Sequence, residues 1–396
     1  LRKFHTIKVA FALVVISTLA SSYTFGQQYT CQVLYWLQEP SGISGINTGS
    51  GPFATNVGPL IGGQGVSVGT GHLPEMPENQ SHALYWSTTG NVADLNPTAL
   101  GFVDSGAAGS DGVNQVGAGS LTTSESSIHA LLWSGTANSA VDLNPASFTS
   151  SYATGVGGNQ QVGYGNSSNG THALLWTGTA ASAVDLNPDG FQSSAAYATD
   201  GNYQVGAGYN PAGLADHALL WSGSADSVVD LSPTLPGIYN TLAMGVGGGQ
   251  QVGYGTAQGS PFAQAILWSG TAASAVDLNP TSLGMVVSRA YATNGSVQVG
   301  VANNNQGGPN QAIAWFGSAA SAINLQDLIP DASSSSTSST AYSIDSNGNI
   351  FGIAHGTIGN LSGFFAIEWS PVPEPGVLFP MVLIAMSLHR RRRTHD

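Results

Sequence analysis

The histidines His82, His129, His172 and His217 each open a His-Ala-Leu phrase, and imidazoles at recurring positions raise the question of a metal. Zinc takes three or four ligands within about 2.3 Å of one centre. Residues that occur once per repeat lie a repeat apart and do not gather on one ion, so no metal is expected, and no cofactor. Glycosidase chemistry needs two carboxyls about 5 to 9.5 Å apart. The nonrepeated acids Asp104, Glu125, Asp189, Asp216, Asp226 and Glu368 are scattered along the chain with no pairing pattern. Neither a Gly-x-Ser-x-Gly elbow between strand and helix nor a His-Glu-x-x-His is present, and no nucleotide loop is recognisable. Catalytic residues are therefore not assigned, and an enzyme is not expected. Asp345-Ser346-Asn347-Gly348-Asn349 has calcium-like spacing but lacks the closing bidentate acid, which favours a turn. Arg289 is the irregular residue. It precedes the run Ala290-Tyr291-Ala292 and is expected near the axis of an acidic ring, either in an ion pair or on a ligand.

These side chains are carried by a repeat. Trp86, Trp133, Trp176, Trp221, Trp268, Trp315 and Trp369 follow one another at intervals of 47, 43, 45, 47, 47 and 54 residues. A period in that range marks a repeat architecture. Each repeat contains a small-residue strand, a Gln-Val-Gly strand, a His-Ala-Leu-Leu-Trp strand and an Asp-Leu-Asn-Pro strand, separated by Gly, Asn, Asp or Pro turns. Four such strands make one propeller blade. The small-residue and Gln-Val-Gly strands occur seven times, the Asp-Leu-Asn-Pro strand five times with a degenerate copy at Ile323-Asn324-Leu325, and a seventh copy is missing. The chain instead begins with an unmatched strand, Tyr29 to Leu37. The expected fold is all-β: a seven-bladed β-propeller with the small-residue strand innermost, closed by pairing of that N-terminal strand with the C-terminal blade. The seven tryptophans are its core. Proline after the outer strand is expected to protect an open edge. The variable loops Gly71 to Ser81 and Tyr209 to Asp216 are where a binding surface would be sought.

Charge narrows the partners. Charged residues make up 7% of the chain, and between Gln27 and Val372 nineteen acids face the single cation Arg289, a net charge of −18. Such a surface repels phosphate backbones and excludes nucleic acid. One cysteine, Cys31, excludes an intramolecular disulfide framework and is expected as a buried thiol. Residues 1–26, basic and then apolar, have the form of a signal peptide. Residues 29–370 form the propeller. Residues 372–396 contain an apolar run from Gly376 to Leu388, a helix of roughly 20 Å, too short for a roughly 30 Å bilayer core.

The tail carries a resemblance. Val372, Pro373, Glu374 and Pro375, the apolar run, and Arg390, Arg391, Arg392 and Arg393 together resemble a PEP-CTERM sorting signal of exported Gram-negative proteins. That resemblance implies processing by an exosortase-type membrane protease, membrane contact through the tail before processing, and delivery to the outer surface or extracellular matrix. The blades are similar to the bacterial extracellular HAF repeat, with His-Ala-Leu in place of His-Ala-Phe and Gln264 and Gln311 in place of the later histidines. No established activity comes with that repeat. The expectation is a noncatalytic cell-surface or matrix protein whose propeller is a binding or structural module, for extracellular polysaccharide or another surface protein. The alternative is a propeller-type carbohydrate-active enzyme, a glycosidase or lyase. An unrolled solenoid would leave the first and last strands apart.

Overall fold

A computed structural model describes residues 28–38, 67–71, 80–86, 92–122, 127–232, 235–304, 308–332 and 337–372. The described residues form seven antiparallel sheets arranged as a β-propeller. Blade 1 has three described strands, Ser67–Gly71, His82–Trp86 and Val92–Asp94. Its expected inner strand at Phe53-Ala54-Thr55 lies outside the described residues. Blades 2 to 6 have four strands each, their inner strands being Asp104–Ser110, Ser150–Gly157, Ser193–Thr199, Asn240–Gly247 and Val287–Thr293. Blade 7 runs Ser338–Ile344, Ile350–Ile358 and Leu361–Pro371, and its fourth strand is Tyr29–Gln38.

That last pairing closes the ring as the repeat count requires. Cys31 lies opposite Trp369 and Gln32 opposite Glu368 in antiparallel register. The Gln32 Nε2 donates to Glu368 Oε2 at 2.6 Å, joining residues 336 apart in sequence. An open solenoid is thereby ruled out. Arg289 sits within its inner strand rather than ahead of it.

Packing between blades explains the repeated letters. Trp221 and Leu219 of blade 4 are buried against Val162, Leu175 and Leu186 of blade 3, and the other clusters repeat this pattern around the ring. The six tryptophans from Trp133 to Trp369 are fully buried. Trp369 donates its indole N–H to the Leu325 carbonyl at 2.9 Å, whereas the other five find no acceptor among the described residues. Size and apolarity are what the position demands, and Trp→Ala there costs about 3 to 5 kcal/mol. The Trp86 side chain lies outside the described residues.

The Gln-Val-Gly glycine is dictated by close approach. The inner strand bulges, between Ala290 and Ala292 in blade 6, and brings its backbone onto the next strand. A Cβ on Gly300 would stand 2.0 Å from the Arg289 carbonyl oxygen, and one on Gly163 would stand 1.9 Å from that of Tyr152. No side chain fits there.

The Asp-Leu-Asn-Pro strand differs from expectation. In blades 2 to 5 its paired part is two residues long, as at Val184–Asp185. The prolines Pro97 and Pro280 fall after it, each heading a one-turn 3-10 helix in the crossing to the next blade. The open edge is therefore two residues long in these blades, and Pro97 and Pro280 lie beyond the paired residues rather than within them. The leucine that follows the aspartate, such as Leu186, is fully buried.

Among the described residues no helix is long and apolar enough to cross a membrane. The expected signal peptide, and the expected sorting motif from Pro373 to Arg393 with its apolar run, lie outside the described residues.

Candidate ligand-binding site at the ring axis

The repeated polar residues form a lattice that joins blades. His172 Nδ1 meets Asp185 Oδ2 at 2.7 Å, and His82, His129 and His217 meet Asp94, Asp142 and Asp230 in the same way. Burial works against the charge on Asp94, but the His82 hydrogen bond, the Asn96 N–H and the His82 charge together hold its carboxyl below the usual range. In blade 6 the pair becomes Gln311 and Asn324, with Asn324 Nδ2 donating to Gln311 Oε1 at 2.7 Å. A neutral amide pair replaces an ionisable one at the same two positions, which marks the role as structural.

The lattice continues outward from the aspartate. Asp185 Oδ1 accepts the Asn187 N–H, Asn187 Oδ1 accepts the Ser194 hydroxyl at 2.7 Å, and Ser194 Oγ accepts the Ala173 N–H at 3.0 Å. Ser194 belongs to blade 4 and the other residues to blade 3, so the network stitches one blade to the next. The buried Gln204 Oε1 likewise accepts the Gly223 N–H, while its Nε2 donates to Gln160 Oε1 of blade 3.

The nonrepeated acids are also dispersed. Asp104 accepts the Ser81 N–H, and Glu368 accepts from Gln32 and Ser370. Glu125 lies outside the described residues. Asp345 uses Oδ1 for the Asn347 and Asn349 N–H groups and Oδ2 for Asn349 Nδ2, which is turn geometry. Cys31 is half-buried beside Trp369 and the blade 7 core, and burial pushes its thiol up to about 12.

What converges at the axis is aromatic. Tyr291 and Tyr342 occupy equivalent bulge positions on the inner strands of blades 6 and 7. Equivalent positions in neighbouring blades meet only toward the axis, and these two rings stack with centroids 5.6 Å apart. Tyr152 and Tyr164 stack across the inner two strands of blade 3 at 4.9 Å. Tyr197 takes the bulge position in blade 4, and Tyr254 lies on the second strand of blade 5. Arg289 reaches from blade 6 onto the Tyr254 ring, with Cζ 5.2 Å from its centroid. All seven side chains are half-buried, and they come from five successive blades.

The electrostatics bind these residues into one site. Burial pushes the Tyr197 hydroxyl up to about 12, with Tyr254, the Asp216 carboxylate and Tyr164 adding to the shift. Burial pushes Tyr291 to about 12 as well, Tyr342 and Tyr254 adding while Arg289 opposes. Tyr164 and Tyr342 are raised by burial in the same direction. Asp216, at the start of the third strand of blade 4, is itself raised by burial. The Asp216 carboxylate thus acts on Tyr197, and the Arg289 cation on Tyr254 and Tyr291. Arg289 makes no ion pair among the described residues, so its expected structural pairing is replaced by a cation–π contact.

The inner-strand tyrosines were legible as strand residues but not as a site. The signal was an aromatic in a strand otherwise built of Ala, Ser, Gly and Thr, which only ring geometry turns into a cluster. Of the variable loops, Tyr209 to Asp216 borders this cluster through Asp216, and Tyr239 donates from its hydroxyl to the Gly213 carbonyl. Most of the Gly71 to Ser81 loop lies outside the described residues.

No protein-family model and no curated protein matches the chain. Solved structures do match. A study of two prolyl endopeptidases contains a chain similar at TM-score 0.50 and 13% identity, over 78% of this chain and 46% of that one. The β-propeller domain of the trilobed protease from Pyrococcus furiosus matches at TM-score 0.48 and 8% identity, over 78% of this chain and 92% of that one. TolB from Acinetobacter baumannii matches at TM-score 0.44 and 11% identity, over 69% of this chain and 64% of that one. The chain spans less than two thirds of TolB and less than half of the endopeptidase. At these identities the likeness establishes the propeller fold. It corrects the expectation of a noncatalytic surface or matrix module: the chain matched at TM-score 0.50 is a prolyl endopeptidase, so this propeller fold is shared with an enzyme.

Proposed function

We propose that the chain is a peptidase-type propeller whose axial tyrosine cluster receives extended polypeptide for a hydrolytic centre. The observation that carries this reading is the convergence of Tyr152, Tyr164, Tyr197, Tyr254, Tyr291 and Tyr342 with Arg289 from five blades. Aromatic-lined grooves dock extended, proline-containing segments, because the preformed chain loses little entropy and its rings pack flat on tyrosine. Similarity to prolyl endopeptidase propellers supports the same substrate class. His82, His129, His172 and His217 are held by their aspartates, so these four serve the blades rather than the bound peptide.

Titration of the full chain with a fluorescent, proline-rich peptide tests this reading. Saturable binding is expected, weakened about tenfold by Tyr197→Ala or Tyr291→Ala, the loss of one aromatic contact. Equal binding by both variants and the native chain would refute it.

We further propose that this ring is exported, and that the tail from Val372 to Arg393 is a sorting signal cut by an exosortase-type membrane protease near Pro373-Glu374-Pro375. Support comes from the order of motif, apolar run and arginines. Mass analysis of the mature protein should show the tail removed in cells holding the protease; an intact tail there would refute the proposal.

A further inference from the structure

We propose that Arg289 is the carboxylate anchor of the axial site, fixing one end of a bound peptide by its anionic group. The inference rests on the polypeptide reading and names which part of the ligand is held.

Four observations carry it. Arg289 is the sole cation between Gln27 and Val372, in a stretch of net charge −18, and among the described residues no carboxylate takes it as an ion-pair partner. The guanidinium is half-buried in a very acidic chain, and its Cζ lies 5.2 Å from the Tyr254 ring centroid rather than beside a carboxylate. The guanidinium fork takes no ion-pair partner among the described residues, and such a fork matches two carboxylate oxygens. The equivalent positions in blades 2, 3, 4, 5 and 7 are Gly106, Tyr152, Ala195, Leu242 and Thr340, none of them charged, so the blade fold does not require a cation there.

The surrounding charge selects among anions. A polyanion such as nucleic acid meets the repulsion of the whole ring, whereas a single carboxylate meets one local cation amid tyrosine. A carboxylate on a peptide has two sources, its C-terminus or a Glu or Asp side chain. Asp216, on the third strand of blade 4, carries the opposite charge one blade before the Tyr254 blade.

The test uses the full native chain and one proline-rich peptide in three forms: free C-terminus with an internal Glu, amidated C-terminus, and internal Glu→Gln. Removing the carboxylate that Arg289 holds should weaken binding about tenfold, as expected for one charge-assisted contact. Loss on amidation identifies the C-terminus; loss on Glu→Gln identifies the side chain. In Arg289→Gln, checked for native folding by thermal melt, all three peptides should bind alike. If the three forms bind native protein equally well, the anchor is wrong while the polypeptide reading stands. If no form binds at all, both fail. Because the peptide series is read on the native chain, a variant that does not fold leaves the test intact.

Discussion

At the scale of single residues, the ring axis keeps its tyrosines neutral. Tyr197 and Tyr291 have folded values of about 12 against an ordinary value of 10.0, and burial is the main cause for both. A folded value above the unfolded one means that the neutral phenol is favoured by folding. The associated stability is fully present below pH 10 and is lost as pH rises through about 12. Phenolate absorbance followed against pH should therefore show a late fraction, near pH 12, that shrinks in Tyr197→Phe and coincides with weakening of the fold. A native titration finished near pH 10 would contradict this environment. None of it was readable from the sequence, where Tyr197 and Tyr291 stand in ordinary inner-strand phrases. Their burial depends on residues from other blades, Tyr164, Tyr254 and Tyr342, whose proximity is a property of ring closure.

At the scale of elements, each blade is held to its neighbour by the inner strand's buried hydroxyl. Ser105, Ser151, Ser194, Ser288 and Ser339 all accept an N–H from the third strand of the preceding blade. Ser194→Ala leaves the buried Ala173 N–H without its acceptor and should cost about 1 to 3 kcal/mol in urea unfolding. Asn187→Ala removes the next link, so the double variant should lose less than the sum of the two single losses. Strict additivity would show that the two side chains do not act through one network. The order of strands in a blade was legible, because Gly, Trp and Asp recur in fixed phase. The use of Asn187 was legible only in part: its bond to its own turn follows from residue type, but its bond to Ser194 crosses a blade boundary. The outer strand was expected longer than it is, since the phrase Ala183-Val184-Asp185-Leu186 reads as continuous strand, while only Val184 and Asp185 pair.

At the scale of the molecule, everything depends on closure. The strand Tyr29–Gln38 completes blade 7, and the axial cluster exists because seven blades share one centre. Counting repeats predicted this pairing, as a missing outer strand at one end and an extra strand at the other admit few arrangements. The function was less legible than the fold: repetition identifies scaffold residues, while Arg289 and the tyrosines differ from blade to blade.

Closure is tested most directly by a cross-link. In a Cys31→Ser background, Gln32→Cys and Glu368→Cys place two thiols at directly opposed positions of adjacent strands, within reach of a disulfide. Oxidation should give an intramolecular bond, seen as faster migration on a nonreducing gel, with a raised unfolding temperature because the bond constrains a very long loop. Thiols that stay free in the folded protein, or that join only between molecules, would contradict the closed ring.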